Sequence, residues 1–254
     1  MTMHFIVSVG TSIIKKVKGL SLRQAHNVSD DENIFPEPRK YCHNYSSSKR
    51  AIQKNKGAEE KTIEKVLELI AIPLSDCHFH WISTQTKECQ FCAAYLGHDR
   101  FQAGKNYYYL PTYLGEATKT DFVEKGVPSL LSTLAEILDQ IEPQDQVVII
   151  PTGGYKALIP YLTIAGILYK YPIYYIYEKS EALLELPALS LSVDITEFRS
   201  ALVILDNIVG TTEEDVATPY LDALEDRFKN LLFKDDNHVY QYTAFGKRMK
   251  KNVP

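Results

Sequence analysis

Three short runs, "HFIVSVG" (4–10), "QVVII" (146–150) and "PIYYIYE" (172–178), are mostly apolar at consecutive positions. A strand with one face in water alternates apolar with polar residues, so runs of this kind belong to strands covered on both faces. "CHFHWIST" (77–84) and "NYYYLP" (106–111) read as two further strands. The segments between them carry the other periodicity. "AEEKTIEKVLELIAI" (58–72) puts Ile63, Val66, Leu67 and Ile70 on one helical face. "SLLSTLAEILDQI" (129–141) and "KALIPYLTIAGILYK" (156–170) are helical as well, and a helix is expected through "CQFCAAYLG" (89–97). Strands that alternate with helices build a parallel sheet wrapped by helices. The fold class expected is therefore α/β, a Rossmann-like parallel sheet flanked by helices over residues 1–189.

Within that domain, residues 15–60 are polar with little periodicity and read as an insertion or lid. Residues 190–254 differ in character. "TEFRSALVILDNIV" and "EEDVATPYLDALEDRFKNLLF" read as helices, "HVYQYT" as a strand and "AFGKRMKKN" as a basic end. They are expected to form a small, mostly helical appendage, with a winged helix as one version of it.

Charge narrows the partners. The 254 residues carry a net charge of −4, which argues against general coating of nucleic acid but not against a local basic pocket. Residues 1–60 hold ten Lys and Arg against six acids, so an anionic ligand would favour this end. Four cysteines in a chain of this size do not make a disulfide scaffold. The start, "MTMHFIVSVGTS", has no basic leader and passes directly into a strand, so no signal peptide is expected. The most lipid-like stretch, 157–177, is divided by Lys170 and Pro172, and the part before them is too short for a ~30 Å hydrocarbon core. A soluble, cytoplasmic protein is the expectation.

In an open α/β sheet, ligands sit beyond the carboxyl ends of the strands. Two turns there have suitable composition: Gly10-Thr11-Ser12 after the first strand, and Thr152-Gly153-Gly154-Tyr155-Lys156 after "QVVII". Glycines allow close backbone approach, helix N-terminal amides favour an anion, hydroxyls donate and Lys156 adds a point charge. The pattern describes an anion pocket, although a Gly-Gly turn can equally serve chain reversal alone. Neither turn is a Walker A or G-x-G-x-x-G fingerprint.

"VSVGTSII", "STQTKECQFCAAYL" and, above all, "IIPTGGYKALIPYLTIAGILYKYPIYYIYEKSEALLELP" resemble the CARF family, the CRISPR-associated Rossmann fold. The likeness spans roughly residues 1–190. It implies a homodimer that binds a cyclic oligoadenylate, most often the cyclic tetra-adenylate of type III CRISPR signalling. Carried over by motif, Gly10, Thr11 and Ser12 would contact one side of the ring, and Thr152, Gly153, Gly154, Tyr155 and Lys156 would hold its phosphates. Ser83, Thr84 and Thr86 match the hydroxyl-rich turn after the second strand. Some members cleave the ring without a metal or other cofactor, through attack of a ribose 2′-OH on the adjacent phosphorus. In those ring nucleases, residues matching Ser12 and Lys156 are catalytic. Non-cleaving sensors keep similar residues.

Effector domains common beside such sensors find little support. The Arg-x4–6-His pattern of HEPN ribonucleases is missing, since Arg23 and His26, or Arg39 and His43, are too close and Arg227 and His238 too far apart. Three readings remain: a stand-alone ring nuclease, a ligand-controlled DNA-binding regulator, and the sensory part of a longer effector. Cys77, His80, Cys89 and Cys92 have zinc-like spacing, but strand alternation separates Cys77 from His80 and the other two fit helix packing, so no metal is expected.

Overall fold

The computed structural model describes residues 1–15, 17–23, 37–114, 118–154, 156–176, 181–186, 195–224, 226–229, 231–235 and 237–251. In chain order the elements are β1 (Met3–Ser8), α1 (Tyr45–Gln53), α2 (Ala58–Ile70), β2 (Cys77–Ile82), α3 (Lys87–Tyr95), β3 (Lys105–Tyr109), α4 (Lys119–Asp121), α5 (Val127–Asp139), β4 (Gln146–Ile150), α6 (Leu158–Tyr169), β5 (Ile173–Ile176) and β6 (Leu183–Leu186). They continue with α7 (Ile195–Ile208), α8 (Glu214–Ala223), α9 (Asp226–Lys229), β7 (Leu232–Lys234), β8 (Tyr240–Tyr242) and α10 (Ala244–Lys251).

The chain divides into two compact units, Met1–Glu116 with Ile141–Ser190, and Ala117–Gln140 with Leu191–Pro254. The first holds a six-stranded sheet in the order β3-β2-β1-β4-β5-β6, parallel throughout except for β6, which pairs antiparallel with β5. This is the Rossmann-like α/β fold that the strand and helix periodicities predict. All six residues of β1 are buried, as a strand covered on both faces requires. Met3, Phe5 and Val7 point to one face with Phe79, Trp81, Val148 and Ile150, where they pack with Ile52 of α1, Ile63 and Val66 of α2, and Phe91 of α3. Helix α6 lies close over the other face, where a β-carbon on Gly166 would come 2.5 Å from Ile173.

The same alternation puts His4, His78, His80, Tyr107 and Tyr109 on that second face. His4 Nδ1 and His80 Nε2 are 3.0 Å apart, and His80 Nδ1 lies 3.2 Å from the Tyr109 hydroxyl. His80 stacks on Tyr107 at 4.9 Å. Burial pushes the His80 pKa down to about 3 and lowers that of His4, although Asp145 pulls His4 the other way. Cys77 belongs to the opposite face, in the core with Cys92. Among the described residues, no three of His, Cys, Asp or Glu converge as a metal site would need.

The described parts of 15–60 are more ordered than a polar insertion suggests. Leu22 bridges antiparallel to Cys42, and Tyr41, Cys42, Tyr45 and Ile52 are buried in the core. Their spacing follows no single period, because a bridge, a 3₁₀ turn at Pro38–Lys40 and a helix succeed one another within a few residues.

The second unit, described by itself, takes in α5, which the helix-and-strand alternation assigns to the first domain; its partner is α10. Phe198, Ala201, Leu205, Leu224, Leu231 and Tyr242 form its core. Leu232 and Phe233, expected to be helical, instead belong to the first strand, Leu232–Lys234, of the antiparallel β7–β8 hairpin. Lys250 of α10 is held by Asp206, which also accepts the Tyr242 hydroxyl at 2.7 Å. No helix among the described residues is long and apolar enough to cross a membrane.

Candidate functional site

The chain runs β1, β2, β3 towards one sheet edge and then crosses back to β4 and β5 on the other side of β1. The carboxyl ends of β1 and β4 therefore flank the switch point, where the crevice of such a sheet opens. Gly10-Thr11-Ser12 and Thr152-Gly153-Gly154 meet there in backbone contact. A β-carbon on Gly10 would lie 2.6 Å from Gly154 N, and one on Gly154 would lie 2.7 Å from Val9 O. Gly154 adopts φ +88°, a left-handed conformation that glycine takes at little cost. The buried Ser8 hydroxyl donates to Gly153 O at 2.7 Å and fastens the second turn to β1.

Between the turns sits a carboxylate that sequence reasoning missed. Glu59, the second residue of α2, is fully buried. Gly10 N–H donates to its Oε1 at 2.7 Å, and the Ser12 hydroxyl donates to its Oε2 at 3.0 Å. Ser12 Oγ in turn accepts the Ala58 N–H at 3.3 Å. Gly153 has no room for anything larger, since its β-carbon would fall 1.7 Å from Glu59 Oε1. Burial raises the Glu59 pKa; its own backbone N–H, Gly10, Ser12 and the charge of Lys15 oppose that rise. A signal did exist in the sequence. Glu59 stands four residues before Ile63 and seven before Val66, in line with the apolar stripe, where a surface acid would not be placed. Its neighbour Glu60 is also buried, but Arg100 neutralises it.

The other expected site residues fall as follows. Thr11 opens a helical turn, its carbonyl accepting from Ile14 and Lys15 N–H. Thr152 Oγ1 is buried without a hydrogen-bond partner among the described residues. Lys156 is exposed just before α6, and Tyr155 lies outside the described residues. Ser83, Thr84 and Thr86 follow β2 at the same end of the sheet, yet their polar groups are engaged locally. Ser83 Oγ donates to Thr84 O, the hydroxyls of Thr84 and Thr86 are 3.1 Å apart, and Thr86 caps α3 by accepting Cys89 N–H at 3.4 Å.

Beside the turns, a cavity of about 330 Å³ is lined by Ala58, Thr152, Ile159, Thr163, Tyr175 and Leu186 among others. Its walls are chiefly apolar, with a few hydroxyls. The site thus combines close-approach backbone, the hydroxyls of Ser12 and Thr152, the exposed Lys156 just beyond the second turn and the adjoining apolar cavity.

Against known families, the model of a CRISPR-associated protein family (Cas_APE2256) matches residues 54–189, just over half of the chain. The match takes in α2 with Glu59, strands β2 to β6 and the Thr152–Lys156 turn, and leaves β1 with Gly10–Ser12 outside it. A comparison with curated proteins finds no match.

Proposed function

The chain belongs to the CRISPR-associated protein (Cas_APE2256) family, and on that footing we propose that it binds a cyclic oligoadenylate, cyclic tetra-adenylate first among them, and cleaves it without a metal. The observation that carries this reading is the backbone contact of the Gly10–Ser12 and Thr152–Gly154 turns at the switch point, with Lys156 at the edge. The Thr152–Gly154 side of this floor, with Lys156, suits phosphodiester oxygens, and the adjoining 330 Å³ cavity suits an adenine. Two protomers would offer the same half-site to symmetric halves of the ring.

In the reaction, a ribose 2′-oxygen attacks the adjacent phosphorus and the P–O5′ bond breaks. The 2′ proton leaves, O5′ gains one, and the products are linear with a 2′,3′-cyclic phosphate and a 5′-hydroxyl. In-line geometry and relief of charge on the phosphoryl oxygens are what the protein must supply. Ser12 orients the ribose–phosphate unit and Lys156 meets the developing charge.

The test is incubation of purified protein with labelled cyclic tetra-adenylate in excess EDTA, comparing wild type, Ser12→Ala and Lys156→Ala. Linear products ending in 2′,3′-cyclic phosphate, falling at least a hundredfold in both variants, are expected; one well-placed charge or donor in a catalytic site contributes about that much. Tight binding with the ring intact would make the chain a sensor instead. No binding would remove cyclic tetra-adenylate as the ligand.

A further inference from the structure

Glu59 has a consequence for what Ser12 can recognise. A hydroxyl has one hydrogen and two lone pairs. The hydrogen of Ser12 is directed to Glu59 Oε2 at 3.0 Å, and one lone pair receives Ala58 N–H at 3.3 Å. A single lone pair is left. Around Glu59 itself the contacting groups are donors, with Gly10 N–H on Oε1 and its own backbone N–H close by, and these oppose the rise in its pKa that burial causes. Gly10 and Gly153 leave no room for a side chain of their own beside the carboxylate. Phosphate oxygens are acceptors, and so is Ser12 in this state. A ribose 2′-hydroxyl is a donor.

We infer that Glu59 is a positioning residue that fixes Ser12 as a hydrogen-bond acceptor, so that this turn reads the 2′-hydroxyl of a ribose rather than a phosphate oxygen. The inference rests on the reading of the site as a cyclic oligoadenylate pocket and deepens it. The Glu59–Ser12 pair makes the pocket selective for ribose over 2′-deoxyribose, since the 2′-OH is the group that separates RNA from DNA at a recognition site. Replacing the carboxylate with an amide, as in Glu59→Gln, keeps the shape and reverses the polarity. The amide oxygen would still accept from Gly10 N–H, but the amide NH₂ would donate to Ser12, releasing the serine hydrogen.

The experiment measures binding of cyclic tetra-adenylate and of its all-2′-deoxy counterpart by stopped flow at pH 8 in EDTA, before turnover. Proteins compared are wild type, Glu59→Gln and Ser12→Ala, each checked for an unchanged urea transition. Wild type is expected to prefer the ribo ring at least tenfold, and both variants to bring the two affinities within about threefold. A purely structural Glu59 would weaken both rings together and leave their ratio unchanged, which overturns the inference. Equal affinity of wild type for the two rings overturns it as well. If folded wild type binds neither ring, the cyclic tetra-adenylate reading fails first, and the inference falls with it.

Discussion

Gly153→Ala should be among the most damaging single-methyl additions in this chain. The new β-carbon would stand 1.7 Å from Glu59 Oε1, 2.5 Å from Gly10 N and 2.6 Å from Glu59 Cδ. The carboxylate must leave its place or the turn must open. Overpacking of a closed site costs about 1–3 kcal/mol. Separating a buried carboxylate from a donor such as Gly10 N–H costs about 1.5–3 kcal/mol more. The expected loss is therefore ~2.5–6 kcal/mol, a large part of the ~5–15 kcal/mol that holds a typical domain. Gly19→Ala is the control. Gly19 has φ +75° but nothing within 4 Å of an added β-carbon, so it should cost only the ~1–2 kcal/mol of a left-handed alanine. The chain's one tryptophan, Trp81, is fully buried in the core of the first unit, so its fluorescence in urea follows that unit alone. The double variant with Glu59→Ala should lose less than the two single losses added, because the carboxylate half of the collision is gone. A Gly153→Ala loss no larger than that of Gly19→Ala would refute the packing described for the two turns.

Trp81 fluorescence reads two other predictions. His80 is neutral in the fold, with its pKa down at about 3, whereas an unfolded histidine titrates near 6.5. Its stabilising effect is complete above about pH 6.5 and is lost as pH falls towards 3, at up to ~1.4 kcal/mol per pH unit. His80→Phe keeps the ring stacked on Tyr107 and should flatten that acid limb by about one proton; an unchanged slope would assign the acid sensitivity elsewhere. Arg100→Ala strands the buried Glu60 carboxylate and should cost ~3–5 kcal/mol. Lys56→Ala breaks a more exposed pair with Glu64 and should cost no more than ~1 kcal/mol. Similar losses in the two would contradict the burial difference.

The sheet was legible because strand and helix periods differ, and β4 begins and ends at the residues that the apolar run "QVVII" marks. β1 stops two residues short of Gly10, and β2 two short of Thr84, although single backbone bonds, Val9 N–H to Ile82 O and Ser83 N–H to Tyr109 O, run on one residue further. Helix α1 was not legible, since its few buried residues, Tyr45 and Ile52, lie seven apart in a polar background. The 213–233 segment reads as helical throughout; the partnering of Leu232–Lys234 with Tyr240–Tyr242 is a non-local choice that propensity does not encode. At the site, both glycine turns stood out because glycine has a local meaning. Glu59 did not, because acids near a helix N-terminus are ordinarily solvated, and it is the meeting of the Gly10 and Gly153 turns, distant in sequence, that encloses this one.

The central place of β1 also sets an order of events during synthesis. One edge of β1 pairs with β2, and its other edge waits for β4, with Met3 opposite Gln146. About 60 residues separate the end of β2 from the start of β4. At the usual 5–20 residues per second, the ribosome takes roughly 3–12 s to deliver them. For that interval the strand "MHFIVS" has an open, apolar edge, the kind of surface that recruits other chains. The seam that later carries the two glycine turns is thus the last part of the sheet's middle to close, and yield on expression should depend on how well that edge is shielded until β4 emerges.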